Sequence, residues 1–249
     1  MAKKIIYKPT ITLGLILSAL LLLYGLGEVF SRISASSYSS GAVAQPGSYS
    51  VPSQETTVDP DWRTVEIVLN QRLAKIAFPF YSQDNPGYKD VLYGKNSEGK
   101  ATIGTSGCGP AAAAMILRFL GKNVDPAIIA AFSLDSGYRI DDQGTSPKLF
   151  YALAERYGTL YYSTGLHGES QDEKWQKVRT WLLNGWPVIA SMNDHDFSAG
   201  GHYIVLNGLN KDGEVVISDP KHPEKVFVSQ NQVKAYLSHA HLLLKNPKK

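Results

Sequence analysis

One cysteine in 249 residues, Cys108, does most to narrow what this chain can fold into. A lone thiol closes no intramolecular disulfide, and Cys-rich zinc sites need two or more thiolates at close spacing. The fold must therefore be held by apolar burial. The material for it is present: 43% of the residues are hydrophobic, fourteen Tyr and four Trp are available, and 19% are charged. That balance fits a globular unit rather than a disordered chain. At this length one domain with appendages is expected.

The first appendage is an apolar run. Ile11 to Gly27 reads ITLGLILSALLLLYGLG, seventeen residues without a charge, near the lower limit for a helix that spans a hydrocarbon core. It is longer than the about 7–15 apolar residues of a signal peptide. Ala42-Val43-Ala44 has the look of a cleavage site but lies well past the run, so a retained signal anchor is expected; cleavage would give a secreted form. Lys3, Lys4 and Lys8 precede the run and Arg32 alone follows closely, an excess that is held on the cytoplasmic side. The expected order is a cytoplasmic segment 1–10, a single transmembrane span 11–27, a Ser-, Gly- and Pro-rich flexible linker 28–60 and a domain 61–245 on the outer side of the cell membrane.

Charge excludes one class of partner. Residues 1–32 carry four positive charges against Glu28 alone, which is the whole of the chain's net +3. The rest is neutral and holds no Lys/Arg stripe that could track phosphates, so no nucleic-acid partner is expected.

Within the domain, Trp62, Val65, Leu69, Leu73 and Ile76 recur at spacings of three and four and predict an amphipathic helix. A second helix opens at Cys108, with Pro110 in its first turn and an Ala/Met/Leu run ending at Gly121. A third is framed by Ser146, Pro147 and Gly158, and a fourth runs from about Glu173 to Asn184. Then the pattern changes. Residues 187–192, 202–206 and 214–218 are short apolar or β-branched runs, the last two joined by an Asn210–Gly213 turn. Strands at 226–228 and 242–244, with a helix near 230–237 between them, complete an α+β reading.

The chemistry centres on Cys108. A helix N-terminus lowers a thiol's pKa through its backbone N–H groups and macrodipole, and flanking Gly107 and Gly109 leave backbone space for a substrate carbonyl. The competing reading is an inert buried thiol. A base must come from elsewhere in the chain. Of six histidines, His202 has the best setting, at the start of an apolar strand behind Gly200 and Gly201. His167 and His195 lie in polar loops, His222 follows a turn, and His239 and His241 read as structural. Asp219 ends the strand paired with that of His202 and can orient the imidazole, although Asp219-Pro220 is also an ordinary turn starter. Tyr81-Ser82-Gln83 supplies a candidate amide donor for a developing oxyanion.

Tyr81-Ser82-Gln83, Gly107-Cys108-Gly109-Pro110, Gly144-Thr145, the Gly201–Leu206 segment and Asp219-Pro220, in that order, resemble the C39-like peptidase family. The resemblance implies a papain-like fold in which the helix bearing the nucleophile packs on an antiparallel sheet. It also implies roles: Cys108 as nucleophile, His202 as general base and acid, Asp219 as orienting carboxylate and Gln83 as oxyanion donor. It implies no cofactor and a peptide or protein substrate. Two rivals stand beside it. One is a cell-wall peptidoglycan amide hydrolase, and the other is a catalytically silent C39-like binding module. A metal site built from Asp194, His195, Asp196, His202 and His222 follows no standard ligand spacing.

Overall fold

The computed structural model describes residues 57–193 and 201–248. The predicted anchor and linker lie outside the described residues, apart from the last few linker positions; among the described residues no helix is long and apolar enough to cross a membrane.

In chain order the elements are β1 (Asp61–Leu69), β2 (Arg72–Phe80), β3 (Leu92–Asn96), β4 (Gly99–Thr102), α1 (Ile103–Ser106), α2 (Cys108–Phe119), α3 (Pro126–Asp135), β5 (Arg139–Ile140) and β6 (Gly144–Thr145). There follow α4 (Lys148–Tyr157), β7 (Leu160–Thr164), α5 (Gln171–Leu183), β8 (Val188–Met192), β9 (His202–Leu209), β10 (Val215–Ser218), β11 (Phe227–Val228), α6 (Gln230–Tyr236) and β12 (Leu237–Leu244). Six strands form one sheet in the order β11-β10-β9-β8-β12-β7, with every neighbouring pair antiparallel.

Helices cover both faces of this sheet, which explains why β8, β9 and β10 read as continuous apolar runs rather than alternating ones. Ile189, Tyr203, Val205 and Leu243 turn to one side and pack with α2, α3 and α4. Their neighbours Val188, Ala190, Ile204, Leu206 and Leu242 turn to the other and pack with Trp175, Val178 and Leu182 of α5 and Val233 of α6. The alternation follows the two-residue repeat of a strand. Helix α2 is the inner member of the first layer: Ala111 to Leu117 are all buried. Its four alanines let the helix backbone come close to β9, while Met115, Ile116 and Leu117 each contribute roughly 1.5–3 kcal/mol of burial.

The first predicted helix is instead a β-hairpin. Strands β1 and β2 pair from Asp61↔Phe80 to Leu69↔Arg72, leaving Asn70-Gln71 as a two-residue loop. Both loop residues have left-handed backbone, φ 47° and 64°, the geometry of the type I′ turn that matches strand twist. Trp62 and Leu73, expected on a buried stripe, are each 52% exposed. The three-and-four spacing was a subset of a sequence whose Val65, Ile67, Val68 and Ile76 favour strands. Helix α3, capped by the Asp125 side chain on the Ile128 amide with Pro126 following, was not anticipated.

A non-glycine left-handed residue is strained by roughly 1–2 kcal/mol. Gln71→Gly is therefore expected to stabilise the protein by up to about 1 kcal/mol in urea denaturation, net of glycine's entropy. A lower midpoint would contradict the left-handed turn.

Candidate active site

Cys108 is the first residue of α2 and is half-buried. Its sulfur is hydrogen-bonded to the His202 side chain and receives the backbone N–H groups of Tyr203 and Gly109. Burial pushes the thiol pKa up, but the His202 hydrogen bond and charge and the two amides outweigh it and hold the thiol below its ordinary value.

Strand β9 supplies the partner. His202 is 6% exposed, and its Nε2 lies 2.6 Å from Asp219 Oδ1, so Nδ1 is the ring nitrogen left for the sulfur. Burial works against the imidazolium, yet the bonds to Asp219 and Cys108 prevail and raise the pKa to about 10. The β9–β10 ladder pairs Val205 with Ser218. Asp219 follows directly after Ser218, at the end of β10, and its carboxylate reaches the His202 ring at the start of β9.

Asp219 makes the contacts of a turn starter and also touches the His202 ring. Its Oδ1 accepts the backbone N–H groups of Lys221 at 2.9 Å and His222 at 3.1 Å, as a turn-initiating Asp does, in addition to His202. Burial disfavours the carboxylate, but the His202 bond and charge and these amides keep its pKa below the ordinary value. Oδ2 is buried with no hydrogen-bond partner.

Gln83 is not a solvated loop residue. It is 3% exposed, its N–H donates to Pro220 O at 2.9 Å, and its Nε2 donates to Gly104 O at 2.8 Å. It lines the same groove as Cys108 and His202, about 450 Å³ in volume, with Thr105, Gln143, Lys221 and His222 on the walls. The structure thus brings together all four residues singled out in the sequence.

The glycines beside Cys108 do a different job from the one expected. A Cβ on Gly107 would fall 2.5 Å from Ile103 O, and one on Gly109 would fall 2.4 Å from Thr145 Oγ1. They permit close packing of α1 and β6 around Cys108 rather than leaving open space. Gly144-Thr145, a motif without a role in the sequence, is explained by the same contact. Thr145 Oγ1 also bonds Tyr93 OH at 2.8 Å, and Thr145 O accepts from Tyr203 OH at 3.3 Å. Sequence reasoning missed Tyr203, whose amide serves the sulfur; only its place next to His202 signals it.

A scan against family models matches the Peptidase_C39 like family over residues 75–239. The chain belongs to this family. A solved structure similar to this C39-like chain is a prointerpain A fragment from Prevotella intermedia, at 12% identity and a TM-score of 0.44, covering 77% of each chain. No match is found among curated proteins. Among the described residues no group of His, Cys, Asp or Glu is placed to hold a metal ion; Asp194, His195 and Asp196 lie outside them.

Two further histidines sit behind the site. His239 Nε2 is 3.2 Å from Tyr203 OH and His241 Nδ1 is 2.8 Å from Tyr161 OH. Nε2 of His241 is buried without a partner, so this residue is less fully satisfied than a structural histidine normally is. Burial lowers the pKa of His239 to about 4 and that of His241 well below the ordinary value.

These shifts set the pH dependence of stability. His239 and His241 are neutral when folded and bind protons when unfolded below about 6.5, so stability should fall as pH drops from there toward 4. Between about 6.5 and 8.5 the folded imidazolium binds a proton that the unfolded ring has lost, while the folded thiol, held below its ordinary value, releases one that the unfolded thiol keeps. The two effects oppose, and stability should vary least there. Above that the unfolded thiol ionises while His202 keeps its proton up to about 10, and stability should fall again. Urea denaturation from pH 4 to 10 measures the profile; a single limb rising steadily with pH would contradict it.

Proposed function

We propose that this C39-like chain is a papain-like cysteine peptidase that hydrolyses peptide bonds with Cys108 as nucleophile, His202 as general base and acid, Asp219 as orienting carboxylate and Gln83 as oxyanion donor. One observation carries the reading: the His202 ring is hydrogen-bonded on one side to the Cys108 thiol and on the other, at 2.6 Å, to a buried carboxylate. A lowered thiol facing a raised imidazole is a thiolate–imidazolium pair, the reactive form of a cysteine nucleophile.

The thiolate attacks the peptide carbonyl and its electron pair forms the C–S bond, while the carbonyl π pair moves onto oxygen. One Gln83 Nε2–H is taken by Gly104 O, which leaves the second for that oxyanion. His202 gives its Nδ1 proton to the leaving amine, and an acyl-enzyme remains. Neutral His202 then takes a proton from water, the hydroxide cleaves the thioester, and the thiolate is regenerated. Asp219 holds the ring in the tautomer that presents Nδ1 to the sulfur throughout.

Iodoacetamide should alkylate the wild type at pH 6 faster than a free thiol, because the Cys108 thiol is held below its ordinary value. In His202→Ala the rate at pH 6 should fall at least about tenfold and its acid limb should move up to or beyond the ordinary thiol value of about 8.5. Equal rates in the two proteins would remove His202 from the pair.

The reading includes a tether. The uncharged run 11–27, with Lys3, Lys4 and Lys8 before it, supports a single-pass anchor that places the peptidase on the outer side of the cell membrane. The full chain should resist carbonate extraction from membranes and be digested by protease added outside intact cells. Extraction of an intact chain by carbonate would overturn the anchor.

A further inference from the structure

We propose that Lys221 is a positioning residue for acyl transfer, whose ammonium fixes the Gly104 carbonyl and through it the direction of the Gln83 amide. The proposal rests on the reading of the site as a cysteine hydrolase. It starts from an accounting of the Gln83 side chain. Oε1 is buried with no hydrogen-bond partner, and Nε2 donates to Gly104 O at 2.8 Å. The orientation of the amide therefore rests on one bond. A carbonyl oxygen attracts the NH₂ end and repels the C=O end, so Gly104 O decides which end serves as donor to the groove. Whatever holds Gly104 O holds the oxyanion donor.

Lys221 holds it. Its Nζ lies 3.2 Å from Gly104 O and 2.9 and 3.0 Å from the two carboxylate oxygens of Asp84, three acceptors for the three N–H bonds of an ammonium. The cation thus joins three stretches of chain that each carry one part of the site. Asp84 adjoins Gln83, Gly104 lies in α1 just before Cys108, and Lys221 follows Asp219 by two residues. The residue before it closes the clamp, since Pro220 O accepts the Gln83 backbone N–H at 2.9 Å. The Lys221 and Asp84 side chains are 42% and 50% exposed, and a pair that open contributes little to stability. Its consequence is geometric: it sets where an N–H points in the transition state.

Two reagents separate this effect from the reactivity of the thiol. With p-nitrophenyl acetate the thiolate forms a C–S bond, the carbonyl π pair moves to oxygen and returns as p-nitrophenolate leaves, so an oxyanion is made. With iodoacetamide the thiolate displaces iodide at a CH₂ carbon and no charge forms on oxygen. In the full chain, Lys221→Met should slow acylation about tenfold while leaving alkylation within about twofold, and Lys221→Arg should recover most of the loss. Gln83→Ala should slow acylation about a hundredfold, and adding Lys221→Met to it should change nothing further, because the lysine acts through the glutamine. Acylation of Lys221→Met at the wild-type rate, an equal fall with both reagents, or an added loss in the double variant would overturn the proposal. A wild type that reacts with neither reagent faster than free cysteine at pH 6 would instead overturn the hydrolase reading on which it rests.

Discussion

A carboxylate that is 1% exposed must be met by charge or by hydrogen bonds, and at Asp219 both arrive at the same oxygen. Two backbone amides and the His202 ring converge on Oδ1, which keeps the carboxylate ionised and makes a protonated imidazole its natural neighbour. The imidazolium in turn lowers the Cys108 thiol across the ring. The three side chains share one electrostatic arrangement, ordered from a buried anion outward to a half-buried sulfur. Removing the carboxylate would leave a buried imidazolium with only the thiolate to balance it, and the cheaper state for that pair is the neutral thiol and neutral ring.

Such an arrangement needs a rigid frame, and the frame is the sheet with helices on both faces. Strand β9 presents His202 at its first residue and is flanked on either side by a hydrogen-bonded strand, so the imidazole cannot drift without breaking a ladder. Helix α2 meets the same strand through alanines, and the contact of Gly109 with Thr145 leaves no slack at the helix start. Packing at this density responds to small volume changes, which is why glycine is needed on both sides of Cys108.

How much of this could be read from the sequence follows the range of each interaction. Helix α2, strands β8 to β11, helix α6 and the end of strand β12 were legible because they carry local signals: Pro110 in a first turn, short β-branched or apolar runs, and the Asn210–Gly213 turn; the reciprocal cap of Ser170 and Glu173 sets the start of α5 just before the expected Glu173. Cys108, His202 and Asp219 could be nominated from local context plus one hairpin. The β1–β2 hairpin was misread because apolar residues at three-and-four spacing also satisfy a strand pair, and only Asn70 hinted at the turn. Gln83 and Lys221 show where sequence reading ends. Their roles depend on Gly104 O, a backbone atom 21 residues from one and 117 from the other, and no side-chain pattern announces where a carbonyl will point.

The position of β12 has a consequence for how the molecule comes into being. β12, the last strand among the described residues, lies inside the sheet, between β8 and β7, so two parts made much earlier have no hydrogen-bonded connection until residues 237–244 arrive. A nascent chain that has reached only β11 holds Cys108, His202 and Asp219 but carries a bare β8 edge, the kind of surface that templates aggregation. Closing the sheet from within makes the arrival of β12 a condition of a complete sheet. The frame around Cys108, His202 and Asp219 is therefore secured only once β12 has joined β8 to β7.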